Sequence, residues 1–174
     1  MSNLQKILII DTGGTFNKIY NPLNGQLEID TTNQALDTIA KAWLINLNII
    51  NIIGKDSLDM TNKDRLFISQ TIKESSIEHI IVIHGTDTMD KTAKLLAEHN
   101  LDKKIILTGG MIPFSINPIE ATANFSSAYG YLLSIDKKGV YISMNGKIGS
   151  FREIVKNREK GLFEVQRHLN DSAI

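Results

Sequence analysis

Five short stretches of the chain are predominantly apolar, and polar residues or glycines close each of them. They are Ile7-Leu8-Ile9-Ile10, Leu47 to Ile53, Ile80 to Ile83, Ile105 to Leu107 and Val140 to Ile142. Runs this short and this rich in β-branched side chains predict strands buried on both faces. Between them the spacing changes to a helical period. Ala121, Phe125, Ala128 and Leu132 step by four, three and four, which draws one stripe down a helix. Phe67, Ile68, Thr71 and Ile72 predict a second helix, with Thr61 as its N-cap and Asp64 three residues on. Asn33 to Trp43 and Met89 to Glu98 supply two more. Apolar strands alternating with helices predict an α/β fold, a three-layer sandwich around a mostly parallel sheet.

That fold directs attention to particular loops, because ligands of open α/β sheets collect beyond the carboxyl ends of the strands. Asp11-Thr12-Gly13-Gly14-Thr15 follows the first run, and His84-Gly85-Thr86-Asp87-Thr88-Met89 follows the third. Glycine lets the backbone turn sharply and come close to a ligand, and each loop adds two threonine hydroxyls. Either loop alone reads as a tight turn or a helix cap. Two of them on one sheet edge are harder to explain that way. Neither has the G-x-G-x-x-G spacing of a dinucleotide loop or the Gly-Lys-Thr of a P-loop.

Composition narrows the chemistry further. The 174 residues suffice for one domain with a substantial core. Lys plus Arg and Asp plus Glu stand at 19 each, so zero net charge gives no electrostatic case for nucleic acid or an anionic membrane as partner. The absence of cysteine removes disulfide and thiolate chemistry. His79, His84, His99 and His168 are scattered without metal-ligand spacing, and neither a metal nor another cofactor is expected. No signal-peptide pattern opens the chain and no apolar run reaches the ~20 residues of a membrane helix, which together predict a cytoplasmic protein.

Thr12-Gly13-Gly14-Thr15 and His84-Gly85-Thr86-Asp87-Thr88-Met89 together resemble the two signature motifs of the bacterial asparaginase/glutaminase family. Other stretches agree, in the same order along nearly the whole chain. Asp56-Ser57-Leu58-Asp59-Met60-Thr61 resembles the family's substrate-carboxylate loop, and Thr108 to Pro113, continuing to Asn124, its segment after the fourth strand. Val140 to Asn145 followed by Arg152-Glu153-Ile154-Val155-Lys156 is similar to the strand and turn that deliver a catalytic lysine.

The resemblance implies specific roles. Thr15 is the nucleophile on the side-chain amide carbon. Thr86 is the second threonine at the reacting centre, with Lys156 and Asp87 beside it. Asp87 also receives the substrate α-amino group and Ser57 its α-carboxylate. Gly14 and Gly85 let the backbone reach the substrate, and the Thr86 amide helps to hold the tetrahedral oxyanion. Tyr20, on the loop after Thr15, stands where the family often places a tyrosine that activates the nucleophile. The implied reaction is hydrolysis of the side-chain amide of L-asparagine, or of a related small amide, to the acid and ammonia.

Two departures qualify this. Family enzymes usually carry a second, smaller α/β domain, which this chain is expected to lack, and Leu58 follows Ser57 where many relatives have a polar residue. Residues 1–157 are therefore expected to form the catalytic domain, and residues 158–174 a tail. The tail mixes Leu162, Phe163, Val165 and Leu169 with charged residues, the pattern of a short amphipathic helix. Such a helix would fold over the uncovered surface or pack against another chain in a homodimer or larger assembly. A thinned binding shell leaves two alternatives to hydrolysis, an aspartate- or asparagine-binding module and an ammonia-releasing component of an amidotransferase.

Overall fold

The computed structural model describes residues 6–166. Along the chain come β1 (Ile7–Gly13), a hairpin of β2 (Lys18–Asn21) and β3 (Gln26–Ile29), α1 (Gln34–Trp43), β4 (Asn48–Lys55) and α2 (Asn62–Glu74). They are followed by β5 (His79–Ile83), α3 (Met89–Glu98), β6 (Lys104–Thr108), α4 (Pro118–Ser134) and β7 (Gly139–Met144). The described chain closes with β8 (Lys147–Ser150), β9 (Ile154–Asn157) and β10 (Leu162–Val165).

All five predicted apolar runs become strands of one sheet, which β8 completes as a sixth, in the order β4-β1-β5-β6-β7-β8. Every pair is parallel except β7 with β8. Alternation along the strands splits the core into two layers. Ile7 and Ile9 of β1, Ile81 and Ile83 of β5 and Ile106 of β6 pack with α1 and α4. Leu8, Ile10, Ile80, Val82, Ile105 and Leu107 pack on the other side with α2 and α3. This is the three-layer α/β sandwich that the pattern predicts.

The helices follow their stripes with one correction. Ala121, Phe125, Ala128 and Leu132 of α4 are all fully buried. Thr61 and Asp64 form a reciprocal capping box at the start of α2, each side chain accepting from the other's backbone N–H. The buried face of α2, however, is Arg65, Ile68, Ser69 and Ile72, and Phe67 points outward. Positions three, four and seven apart share a face, whereas Phe67 lies about 100° round the helix from Ile68.

The tail also departs from expectation. Residues 158–166, predicted as helix, instead turn through Gly161 at φ 63° and return as β10, antiparallel to β9. Leu162-Phe163-Glu164 alternates with a period of two, and Phe163 fills the α2–α3 side of the core at 2% exposure. A strand puts that one side chain inward without turning its charged neighbours with it. Residues 167–174, with Leu169, lie outside the described residues, as does that part of the expected helix.

The hairpin joining β7 to β8, absent from the sequence expectations, turns through Asn145-Gly146. Both residues have positive φ, 51° and 71°, as a two-residue type I′ turn requires.

Candidate active site

The topology places the two threonine loops at the point where the strand order reverses. From β1 the chain crosses by α1 to β4 on one side, and β5 lies on the other side. The loop after β1 leads toward the helix layer of α1, and the loop after β5 toward the layer of α3. Loops leaving adjacent strands toward opposite faces open a crevice at their carboxyl ends.

Glycines let the loops around that crevice touch through their backbones. A Cβ on Gly14, whose φ is 83°, would lie 2.5 Å from both Cα and N of Gly85. A Cβ on Gly85 would lie 2.7 Å from Cβ and Oγ of Ser57, and one on Gly13 2.6 Å from the Lys55 carbonyl. Three loops from β1, β4 and β5 therefore meet at contact distance. Thr12 ties two of them by donating to the Ile83 carbonyl at 2.7 Å, fully buried. Its hydroxyl is thereby committed to structure, while Thr15 is half-buried on the single 3-10 turn Thr15–Asn17.

Lys156 reaches this centre from β9. Its ammonium donates to Thr86 Oγ1 at 2.8 Å and to Asp87 Oδ1 at 2.7 Å, joining residues 70 and 69 positions apart. The lysine side chain is 11% exposed, and that of Asp87 39%. Pairing of β9 with β10 places Phe163 opposite Lys156, so the buried ring anchors the strand that carries the amine. Sequence reasoning missed Arg158, which donates to the Asp87 carbonyl at 2.6 Å and braces the same loop. Its only signal was its position two residues from Lys156.

Ser57 follows β4 and is buried against Gly85, with its Oγ without a hydrogen-bond partner. Its carbonyl accepts from Thr88, whose hydroxyl in turn accepts from Arg65, so the loop is tied down from behind. Tyr20 sits elsewhere. It lies on β2, 62% exposed, and its hydroxyl is beside Gly25 at the turn of its own hairpin.

Two buried titratable groups flank the loops. His84 is fully buried, and that burial pulls its imidazole down to about 4, outweighing the bond to the Gly85 carbonyl, with Arg65 adding to the fall. The neutral ring donates through Nδ1 to Gly85 and accepts at Nε2 from the Thr92 hydroxyl, 2.7 Å away. Asp11, at the end of β1, is pushed up to about 6 by burial. The Gly13 amide and Asn17 side chain act against that rise, and the charge of Asp30 adds to it. Among the described residues no group of three or more His, Asp or Glu gathers to hold a metal, and no helix is long and apolar enough to cross a membrane.

The site thus defines a class, an α/β domain with hydroxyls, a carboxylate and an amine gathered at the switch point of its sheet. Residues 6–167 match the model of the family described as Asparaginase, N-terminal, and the chain belongs to that family. It is 28% identical over 162 residues to the Glutaminase-asparaginase of Acinetobacter glutaminasificans, covering 86% of this chain and 49% of that protein. It is 32% identical over 155 residues to a Glutamyl-tRNA(Gln) amidotransferase component of Methanococcus maripaludis, covering 84% of this chain and 36% of that protein. The crystal structure of a probable cytoplasmic L-asparaginase from Campylobacter jejuni superposes with a TM-score of 0.71 at 28% identity, over 87% of this chain and 49% of that one. The chain spans about half the length of the Acinetobacter relative.

Proposed function

We propose that this chain carries the nucleophile of an amidohydrolase that cleaves the side-chain amide of L-asparagine, or of a related small amide, to the acid and ammonia. The observation that supports it most is the contact of Lys156 with Thr86 and Asp87 at the sheet's switch point. In this reading Thr15 Oγ attacks the amide carbon and forms an acyl-enzyme, which water then releases. Lys156 donates to Thr86 Oγ1, so the threonine's own proton is turned away from the amine. Thr86 passes that proton to the departing nitrogen and takes the Thr15 hydroxyl proton in its place, so one proton moves from nucleophile to leaving group and ammonia departs with Lys156 still charged. Asp87 holds Lys156 in place and leaves enough exposed carboxylate to meet a substrate α-ammonium group. The unpartnered Ser57 hydroxyl suits the α-carboxylate, and the Thr86 amide the oxyanion.

The likeness to an amidotransferase component supports a second reading, in which the same hydrolysis feeds ammonia to a partner. Ammonia release from asparagine and from glutamine by the purified full chain tests both. Thr15→Ala should abolish release and Thr86→Val nearly so, with the fold unchanged by circular dichroism. Full turnover by Thr15→Ala in a contaminant-free preparation would show the nucleophile to be wrong. Saturable binding of aspartate without turnover of any small amide would replace hydrolysis by the binding-module reading.

A further inference from the structure

The turn that presents Thr15 is held from beneath by two buried polar side chains, and their hydrogen bonding is incomplete. Asp11 and Asn17 are each 2% exposed. Asp11 Oδ1 accepts from the Gly13 backbone at 2.9 Å and from Asn17 Nδ2 at 2.6 Å, so one oxygen spans both ends of the turn. The other oxygen of each residue, Asp11 Oδ2 and Asn17 Oδ1, has no partner. Two orphaned acceptors on two residues already joined by one hydrogen bond share a single deficiency, a proton donor. An orphaned buried acceptor is costly, and two on hydrogen-bonded neighbours are more so.

We propose that Asp11 is a positioning residue that works as a carboxylic acid: one proton on Oδ2, donated to Asn17 Oδ1, closes a cyclic acid–amide pair that holds the Thr15 turn. The proton satisfies both orphans at once, and Asn17 Nδ2 to Asp11 Oδ1 is the other half of the ring. Asn17 extends the brace, because its carbonyl accepts from the Asp30 backbone at 2.9 Å. Burial already pushes the Asp11 carboxyl up to about 6, and the bond made by its proton favours the acid form further.

Among the described residues no cation nearby is free to stabilise the ionised form. Lys18 is paired with Asp56 and Lys55 with Asp64. Asp30 faces the turn from the start of α1, and its carboxylate is taken up by Thr32 and Gln34. Glu120 of α4 is occupied by the Met111 and Ile112 amides, while Asp37 and Lys41 lie on the exposed face of α1. Beside Asp11 in the sheet are the uncharged Asn51 of β4 and Ile83 of β5.

The sign of one substitution decides the matter. Asp11→Asn supplies a permanent N–H donor in place of the proton, so an acid–amide pair becomes an amide–amide pair of the same shape. Melting of wild type and D11N is followed from about pH 5 to about pH 9, together with the Gly13 amide resonance by NMR. Above about pH 7 D11N should melt several degrees higher than wild type, and the gap should close on acidification. In wild type the Gly13 resonance should step with a midpoint at or above about 6, and in D11N the step should vanish. D11N melting lower than wild type at about pH 8 would show that the carboxylate is the working form and overturn the proposal. So would a flat Gly13 resonance in wild type, which is read without any variant. A wild-type melting point that rises with added potassium or sodium at constant ionic strength, and no longer does so in D11N, would assign the orphaned oxygens to a bound ion and overturn it too.

Only the purpose of the turn rests on the amide-hydrolase reading. Absence of turnover beside a titrating Gly13 would therefore end that reading and leave the Asp11–Asn17 pair standing. Where turnover is present, its alkaline limb should share the Gly13 midpoint and be lost in D11N. A limb that D11N leaves unmoved would separate Asp11 from the reaction and overturn its positioning role.

Discussion

Gly85→Ala is a sharp test of the meeting of three loops at the site. The added Cβ would lie 2.7 Å from Ser57 Cβ, 2.7 Å from its Oγ and 3.0 Å from its backbone nitrogen. Carbon atoms settle at about 3.5–4.0 Å, so the Ser57 loop must retreat by roughly 1 Å. The loop is held from behind by Thr88 and Arg65, which makes that retreat costly. Overpacking of this kind costs about 1–3 kcal/mol. In a protein of this length it lowers the melting temperature by about 2–12 °C at ~2–4 °C per kcal/mol. If Ser57 receives the substrate carboxylate, a shift of ~1 Å should also cost about 100-fold in kcat/KM, largely through KM. The assays are thermal melting and ammonia release at varied asparagine. Gly130→Ala is the control, since a Cβ there meets nothing within 4 Å in the middle of α4. It should stabilise by about 0.5–1 kcal/mol and leave kinetics alone. Wild-type melting and KM in Gly85→Ala would refute the contact between these loops.

Three further outcomes follow from the same geometry. Lys156→Met removes the donor shared by Thr86 and Asp87 and should lower kcat by about 10²–10⁴-fold, with melting nearly unchanged; an unaltered kcat would remove lysine from the mechanism. Phe163→Ala empties a core position and should cost about 3–5 kcal/mol in urea denaturation, with turnover falling as the β9 strand loosens. A loss below about 1 kcal/mol would show that the β9–β10 hairpin is dispensable. The pH dependence of stability should be set by two opposed groups. The His84 imidazole is lowered from 6.5 to about 4, so its share is present above 6.5 and lost as pH falls toward 4, roughly 3 kcal/mol at ~1.4 per tenfold. The Asp11 carboxyl is raised from 3.8 to about 6, so its share is present below 3.8 and lost as pH rises through 6, again roughly 3 kcal/mol. Wild-type stability should therefore be nearly flat between about 4 and 6, and D11N should fall on acidification; a flat D11N profile in urea titrations would contradict the buried neutral state of His84.

What the chain reveals without its fold is whatever a local period or a local residue preference can carry. Five apolar runs name the sheet; four of them are buried on both faces and need no polar alternation, while Leu47 to Ile53, expected to be buried likewise, is the half-exposed edge strand β4. The stripe from Ala121 to Leu132 names its helix and buried face together, since all four positions lie on one element. Thr61 with Asp64 marks a helix start for the same reason. The glycines and hydroxyls of the two loops are local as well, and they pointed to the sheet edge where the loops meet. Asn145-Gly146 is a local hairpin signal of the same kind, though no expectation drew on it. The tail misled because its apolar residues fit a helical stripe as well as an alternating strand. What chose the strand was the core position that Phe163 fills on the α2–α3 side of the sheet, which belongs to no window of the tail.

Tertiary structure alone decided what depends on chain separation and burial. Lys156 meets Thr86 because β9 doubles back after the sheet's edge strand, bringing together residues 70 positions apart. Tyr20 follows Thr15 closely in sequence, yet the β2–β3 hairpin carries its hydroxyl to Gly25. The apolar strand before His84 already pointed to a buried, hydrogen-bonded imidazole, whereas Asp11 looks like an ordinary member of a polar loop; only the packed structure shows how far removal from water moves their proton equilibria. Solvation is a property of everything packed around a group, so no spacing along the chain encodes it.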